Sequence, residues 1–220
     1  HRLLGTVAWR LEDTVTYALE GSIFIAGAAI KWLRDQLGVI AHARDTQAMA
    51  EAVADTGGVY VVPAFTGLGA PHWDAGAKAA ITGMTLDTRK EHIVRATLEA
   101  IAYQTHDLMA AFSADITASG GGIKPGTLRV DGGMAANDWF CQFLADILDV
   151  PVERPKVIET TALGAAYLAG LGAGIYRNLD DIARAWECER RFEPNMKTAQ
   201  RTALLAGWQA AVARVKSDSV

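Results

Sequence analysis

Two adjacent glycines stand where a strand-like run meets an amphipathic helix, in the stretch TLRVDGGMAAND at residues 127–138. In open α/β sheets, ligands bind beyond the carboxyl ends of the strands, where helix N-termini present N–H groups. Glycine has no Cβ and accepts positive φ, so Gly132 and Gly133 would allow a ligand to pack directly on the backbone. We expect Asn137 one turn into the following helix, where its amide can hydrogen-bond a base or ribose.

Spacing alone leaves a second interpretation of these glycines open. Glycine turns also make tight connections between a strand and a helix without any ligand, and Asn137 is then a solvated helix residue. The stretch has neither the GxGxxG nor the GxxxxGK[ST] pattern of phosphate-binding loops. The motif therefore indicates a nucleotide-facing or anion-facing turn without deciding it.

Other residues of catalytic type have simpler interpretations. Asp74 and His72 in PHWDAG resemble an acid–base pair, but a loop aspartate that caps a turn is more common. Cys141 and Cys188 lack the CxxC spacing of a metal or redox site. His106, on a long predicted helix, has no carboxylate or cysteine at ligand spacing. The sequence predicts no metal site.

The elements that must position these residues alternate between strand and helix patterns, which predicts an α/β fold. Runs rich in β-branched and aromatic residues predict strands, among them VYVVPAF, TLRVD and VPVERP. We expect VPVERP to be an edge strand, because Pro151 and Pro155 lie at its ends. Apolar spacing of three and four residues predicts the helices, which cover Ser22–Leu37, residues 45–56, Lys90–Ser113, residues 138–148, Thr160–Gly172 and Thr198–Lys216.

Composition narrows the class of protein. The 220 residues are 50% hydrophobic and carry a net charge of -4, with no basic stripe for nucleic acid. No apolar run reaches the roughly 20 residues of a membrane span, and no signal peptide is visible. The two cysteines do not suggest a disulfide framework, which favours a reducing, cytoplasmic setting. Because the chain begins at His1 and enters a strand pattern almost at once, we expect it to be a piece of a longer protein.

Five segments resemble, in the same order, the C-terminal half of proteins in the FGGY family of carbohydrate kinases. Residues 79–99 are similar to the longer of the two family signatures, including Gly83, His92, Ala96 and Glu99. The five segments cover nearly all of the chain and are residues 17–38, 58–74, 79–105, 128–138 and 159–174.

The resemblance implies an actin-like, ribonuclease-H-like ATPase fold, with a mixed sheet flanked by helices. Residues 1–220 would form one nucleotide-binding C-terminal domain, truncated at its N-terminal edge, and the N-terminal substrate domain would be absent from this chain. Lys31 departs from the family, whose members often carry Gln there, so a nucleotide contact, a phosphate contact and a solvated side chain all stay open for it. The implied nucleotide-binding positions are Gly27, Lys31, Gly132, Gly133 and Asn137.

The resemblance also implies transfer of the γ-phosphoryl of ATP to a terminal hydroxyl of glycerol, with Mg²⁺ bridging the phosphates and ADP as the product. The loop FTGLGAPHWD resembles members that act on glycerol more than those that act on xylulose or ribulose. The general base and the glycerol-binding residues are expected upstream, so no catalytic residue is assigned here. The full-length enzyme is expected to be a homo-oligomer. Another sugar kinase of the family and a non-catalytic, actin-like nucleotide-binding module are the alternatives.

Overall fold

The computed structural model describes residues 3–118, 120 and 126–217. The strands, in chain order, are β1 (Leu4–Leu11), β2 (Thr14–Glu20), β3 (Tyr60–Val62), β4 (Ala80–Thr82), β5 (Leu128–Arg129), β6 (Val152–Pro155) and β7 (Cys188–Phe192). The helices are α1 (Gly27–Asp35), α2 (Asp45–Glu51), α3 (Lys90–Ala118), α4 (Asp138–Leu148), α5 (Thr160–Gly172), α6 (Leu179–Arg184) and α7 (Thr198–Ala213). A short 3₁₀ helix, Gly133–Ala136, precedes α4.

The chain forms two compact units. The first contains His1–Lys124 and Met196–Val220, and the second contains Pro125–Asn195. In the first unit β1 pairs antiparallel with β2, and β3 pairs antiparallel with β4. In the second unit the strand order is β5-β6-β7, with β5 and β6 parallel and β7 antiparallel to β6. This mixed sheet agrees with the predicted fold class.

The core of the first unit forms around α3. Val94 and Leu98 are fully buried on the apolar stripe that the sequence predicts for this helix. One turn further, Tyr103 stacks on Trp208 from α7, with ring centroids 5.5 Å apart. The two helices thus pack against each other through these rings. In the described ranges no helix, α3 included, is long and apolar enough to cross a bilayer.

The second unit corrects the prediction for VPVERP. The corresponding strand, β6, lies in the centre of its sheet and bonds to β5 on one side and β7 on the other. Pro155 is tolerated there because the antiparallel register shifts between Arg154 and Pro155, where a ladder N–H is not needed. The partner β7 (Cys188–Phe192) was not predicted; it contains Cys188.

The observed ends of the helices differ from the predicted ones more than the positions of the helices do. The predicted helix Ser22–Leu37 begins only at Gly27, because the preceding backbone bonds to other elements. The carbonyl of Ser22 accepts from the N–H of Ala70 at 2.9 Å, and the carbonyl of Ile25 accepts from Gln104 Nε2 at 3.3 Å. Apolar residues in this segment are therefore buried by tertiary contacts and not by helical geometry.

Candidate functional site

The two glycines lie in a loop after the carboxyl end of β5, which we call the glycine turn (residues 131–136). Gly132 has φ 77° and ψ 178°, a backbone conformation that only glycine adopts readily. Its N–H donates to the carbonyl of Ile158 at 2.8 Å, and its carbonyl accepts from the N–H of Ala135 at 3.0 Å. Gly132 therefore shapes the turn.

Gly133 differs from Gly132 in its backbone conformation. It is exposed, and its φ lies outside the left-handed region. A Cβ built on Gly133 would meet no heavy atom within 4 Å. The packing and backbone of the chain thus leave the glycine at this position unexplained. An exposed backbone without a side chain is what a ligand that packs on the main chain requires.

Asn137 lies at the N-cap of α4, and the expectation that it stands one turn into the helix is wrong. Its backbone is extended, with φ -89° and ψ 106°, and its Oδ1 accepts from the N–H of Phe140 at 2.9 Å. Asparagine is a favoured cap because this acceptor satisfies an otherwise unbonded N–H of the first turn. A ligand-binding role for this side chain therefore depends on its Nδ2 group.

The buried side chain of Arg154 is hydrogen-bonded to the glycine turn and to the start of α4. The Nη1 of Arg154 donates to the carbonyl of Ala135 and to Asp138 Oδ1, each at 2.8 Å. The Sγ of Cys141 also lies 3.3 Å from the same carbonyl. Burial raises the pKa of the Cys141 thiol to about 11, so it stays a donor at neutral pH. Arg154 was not identified from the sequence; its only signal was a charged residue within a strand pattern.

The remaining two predicted residues lie on α1. Gly27 is the first residue of this helix, and its N-cap, Ala26, makes no side-chain capping hydrogen bond. Lys31 follows four residues later, on the same face, and both residues are exposed. The first turn carries no acidic residue. An anion would meet an uncapped positive helix end here, with a lysine one turn further along.

The structure groups Gly132, Gly133 and Asn137 in one turn of the second unit. Gly27 and Lys31 belong to the first unit. Over residues 3–118, 120 and 126–217, no group of three or more His, Cys, Asp or Glu side chains is arranged to hold a metal ion.

Two other candidate residues have structural roles. Asp74 Oδ1 accepts from the N–H groups of Gly76 and Ala77, both at 3.0 Å, which confirms the turn-capping interpretation. Glu99 is buried, and its carboxylate accepts from Arg95 Nε at 2.9 Å and from the Tyr103 hydroxyl at 2.7 Å. Burial raises the pKa of Glu99, against these two hydrogen bonds. Both carboxylates are used within the fold.

The mixed sheet, its flanking helices and the glycine turn define an α/β domain of the actin-like ATPase fold. The sequence profile described as the FGGY family of carbohydrate kinases, C-terminal domain, matches residues 5–173. The chain belongs to this family, as the five sequence segments indicate.

Curated relatives are similar along the whole chain. It is 58% identical to a glycerol kinase of Rhodospirillum centenum over 219 residues, which are 100% of this chain and 43% of that protein. It is 55% identical to glycerol kinase 1 of Pseudomonas aeruginosa, with the same coverage of 100% and 43%. The chain thus spans less than half the length of the relatives it matches.

Solved structures give the same picture. A glycerol kinase of Plasmodium falciparum with ADP has a TM-score of 0.86 and 37% identity, over 99% of this chain and 42% of that one. A xylulose kinase of Rhodospirillum rubrum has a TM-score of 0.75 and 26% identity, over 97% of this chain and 42% of that one. The fold is therefore shared across kinases of different substrates, whereas sequence identity is higher with the glycerol kinase.

Proposed function

We propose that this chain is the nucleotide-binding part of a kinase that transfers the terminal phosphoryl group of ATP to glycerol, giving glycerol 3-phosphate. Identity with glycerol kinases is 58% and 55% in the two relatives above, against 26% with the xylulose kinase. The loop FTGLGAPHWD, whose sequence resembles that of family members that act on glycerol, lies inside the matched region.

The observation that carries the nucleotide-binding part of the proposal is the open Cβ position of Gly133. The chain itself leaves space where a side chain would stand, at the carboxyl end of a strand and beside a helix N-terminus. Nucleotides bind at such places in α/β sheets. A similar protein, the Plasmodium falciparum glycerol kinase, has a structure with ADP. The residues of the glycine turn therefore fit a nucleotide.

Each residue has a proposed task. Gly132 shapes the turn, Gly133 lets the nucleotide pack on its Cα, and Asn137 donates a hydrogen bond to the base or ribose through Nδ2. On its own unit, Gly27 offers backbone N–H groups to an anion, and Lys31 offers a positive charge. These tasks bind and orient the nucleotide; none of them moves a proton.

The chemistry needs further groups outside this chain. In phosphoryl transfer the acceptor oxygen attacks in line with the leaving oxygen, and its proton passes to a base. We place that base, and the glycerol-binding residues, in the N-terminal part that the longer relatives have. Mg²⁺, when bound to the phosphates of ATP, supplies charge neutralisation. Precise orientation of the nucleotide is the contribution of the residues described here.

Two alternative functions remain, a kinase with a different acceptor and a nucleotide-binding protein without kinase activity. A sugar kinase is one alternative, since the xylulose kinase shares the fold with a TM-score of 0.75. A nucleotide-driven switch without catalysis would use the same actin-like fold. A cytoplasmic location, a homo-oligomeric full-length enzyme and an Mg²⁺ requirement stay predictions from the sequence.

A coupled assay of ADP release from the full-length protein separates these functions. We expect ATP turnover that depends on glycerol and that xylulose does not support. Turnover with xylulose but not with glycerol would establish the sugar kinase. Nucleotide binding in a calorimetric titration without turnover on either acceptor would establish the switch.

A further inference from the structure

Arg154 is a charged residue of the second unit whose side chain is nearly buried. Its side chain is 10% exposed, whereas that of Lys156, directly after β6, is 69% exposed. A buried guanidinium lowers stability unless its N–H groups are hydrogen-bonded and its charge is paired. The hydrogen-bond partners of Arg154 should therefore explain why it is buried.

The partners of Arg154 come from three different elements. Its Nε donates to Glu189 Oε2 on β7 at 2.7 Å. Its Nη1 donates to the Ala135 carbonyl in the glycine turn and to Asp138 at the start of α4, each at 2.8 Å. The planar fork of the guanidinium can reach these separate acceptors at once, which a lysine ammonium on a flexible stem cannot do as rigidly. Arg154 thus connects the central strand β6, the edge strand β7 and the turn.

These contacts lie next to the proposed nucleotide-binding residues. Ala135 lies two residues after Gly133, and Asp138 directly follows Asn137. The backbone changes there from 3₁₀ helix to an extended residue and then to α-helix. Carbonyl groups at such a junction need partners from outside the helix, and Arg154 supplies one to Ala135. The position of Gly133 and of the Asn137 cap therefore depends on a side chain in the middle of the sheet.

We propose that Arg154 is a positioning residue that holds the glycine turn in its nucleotide-binding geometry. The inference rests on the proposed function, since it assigns the turn to the nucleotide. Arg154 itself does not contact the nucleotide; it acts through Ala135 and Asp138. Loss of its fork loosens the turn while the sheet and the apolar core of α4 remain.

The test compares Arg154→Lys and Arg154→Met with Arg191→Met in the full-length protein. Arg191 lies on β7 and pairs with Glu153 and Glu193. The variant Arg191→Met therefore removes ion pairs from the same sheet without affecting the turn. ADP titration by calorimetry, melting curves and the KM values for ATP and glycerol are measured on each protein. We expect the Kd for ADP to rise about tenfold in Arg154→Lys, the loss that one displaced charge-assisted hydrogen bond causes. The ATP KM should rise and the glycerol KM should not, while Arg191→Met stays near the parent.

A further variant, Glu189→Ala, removes the anchor behind Arg154 and leaves the turn untouched, so it keeps the inference testable if Arg154 variants do not fold. We expect it to weaken ADP binding about two- to threefold, a fraction of a full hydrogen bond. Unchanged ADP affinity in folded Arg154→Lys, or in Glu189→Ala if the arginine variants do not fold, overturns the inference alone. An equal rise in the ATP and glycerol KM values also overturns it, because that pattern marks a general loss of structure. A parent protein that does not bind ADP overturns the proposed function and this inference together.

Discussion

At the residue scale, Gly132 and Gly133 are adjacent but serve different physical needs. Gly132 has a positive φ that a side chain would strain, whereas Gly133 does not, and a Cβ built at either position would meet no heavy atom within 4 Å. The fold therefore requires a glycine at 132. At 133 the open space leaves room for a ligand, which we propose is the nucleotide. Substitutions at 132 should therefore change mainly stability, and those at 133 mainly nucleotide affinity.

We expect the series Gly133→Ala and Gly133→Val to weaken ATP binding step by step with little change in the melting temperature, because the new methyl groups meet the nucleotide and not the chain. Gly132→Ala should instead lower the free energy of unfolding by about 1–3 kcal/mol, the usual cost of a strained backbone conformation. Calorimetric titration beside melting curves measures both effects in the full-length protein. Constant ATP affinity across the Gly133 series would show that this glycine serves the fold alone.

Asn137 combines a cap and a proposed ligand contact in one amide, and the two can be separated. Asn137→Ser keeps an oxygen that can cap α4 but has no amide N–H₂ group. We expect it to hold the melting temperature while raising the KM for ATP about two- to twelvefold, the worth of a neutral hydrogen bond. Asn137→Ala should show the same kinetic change and also lose about 1 kcal/mol of stability with the cap. An ATP KM in Asn137→Ser equal to that of the parent would leave only the capping role.

At the scale of elements, α3 and α7 meet at a carboxylate of low pKa. The Trp208 Nε1–H donates to Asp107 Oδ2 at 2.8 Å. His72 Nε2 lies 3.5 Å from Oδ2, and His106 Nδ1 lies 3.7 Å from Oδ1. Burial alone would raise the pKa of Asp107, but the two neighbouring imidazoles and the hydrogen bond from the indole outweigh it and lower the pKa from 3.8 to about 2. Asp107 and the two histidines line a cavity that Lys216 also lines.

Since the folded-state pKa is depressed, the ionised Asp107 stabilises the fold above about pH 3.8, and this contribution is lost as the pH falls towards 2. We expect Asp107→Asn to lower the free energy of unfolding near neutral pH by about 2 kcal/mol, from the 1.36 kcal/mol that each pKa unit represents. The difference from the parent should shrink below pH 4. Melting curves between pH 2 and 7 measure it, with the exposed Asp87→Asn as the control. A difference that is constant with pH would contradict the ionic origin.

At the scale of the whole molecule, the chain covers 43% of the Rhodospirillum centenum relative, and the proposed catalytic base is placed outside it. We expect the 220-residue chain by itself to bind ATP weakly and not to phosphorylate glycerol, because the acceptor and its base would be missing. A coupled assay of ADP release, with the full-length protein as the positive control, tests this expectation. Glycerol-dependent turnover by the isolated chain would show that the division of roles is wrong.

The helices with long apolar stripes were predictable because local periodicity is enough to mark a buried face. The stripe through Val94 and Leu98 placed α3, and the spacing from Phe140 placed α4. The ends of the helices were less predictable. Helix α1 begins at Gly27 because Ser22 and Ile25 form hydrogen bonds to distant residues, which no local pattern encodes.

The family, the α/β class and the positions of the glycines follow from residue type and order alone. The folded chain was needed to show that β6 is central, that Asn137 is a cap and that Gly133 has open space where a side chain would stand. The role of Arg154 also depended on it, because the partners Ala135 and Glu189 are 19 and 35 residues away along the chain. Hydrogen bonds and empty space between distant segments are properties of the folded chain, and local spacing contains no record of them.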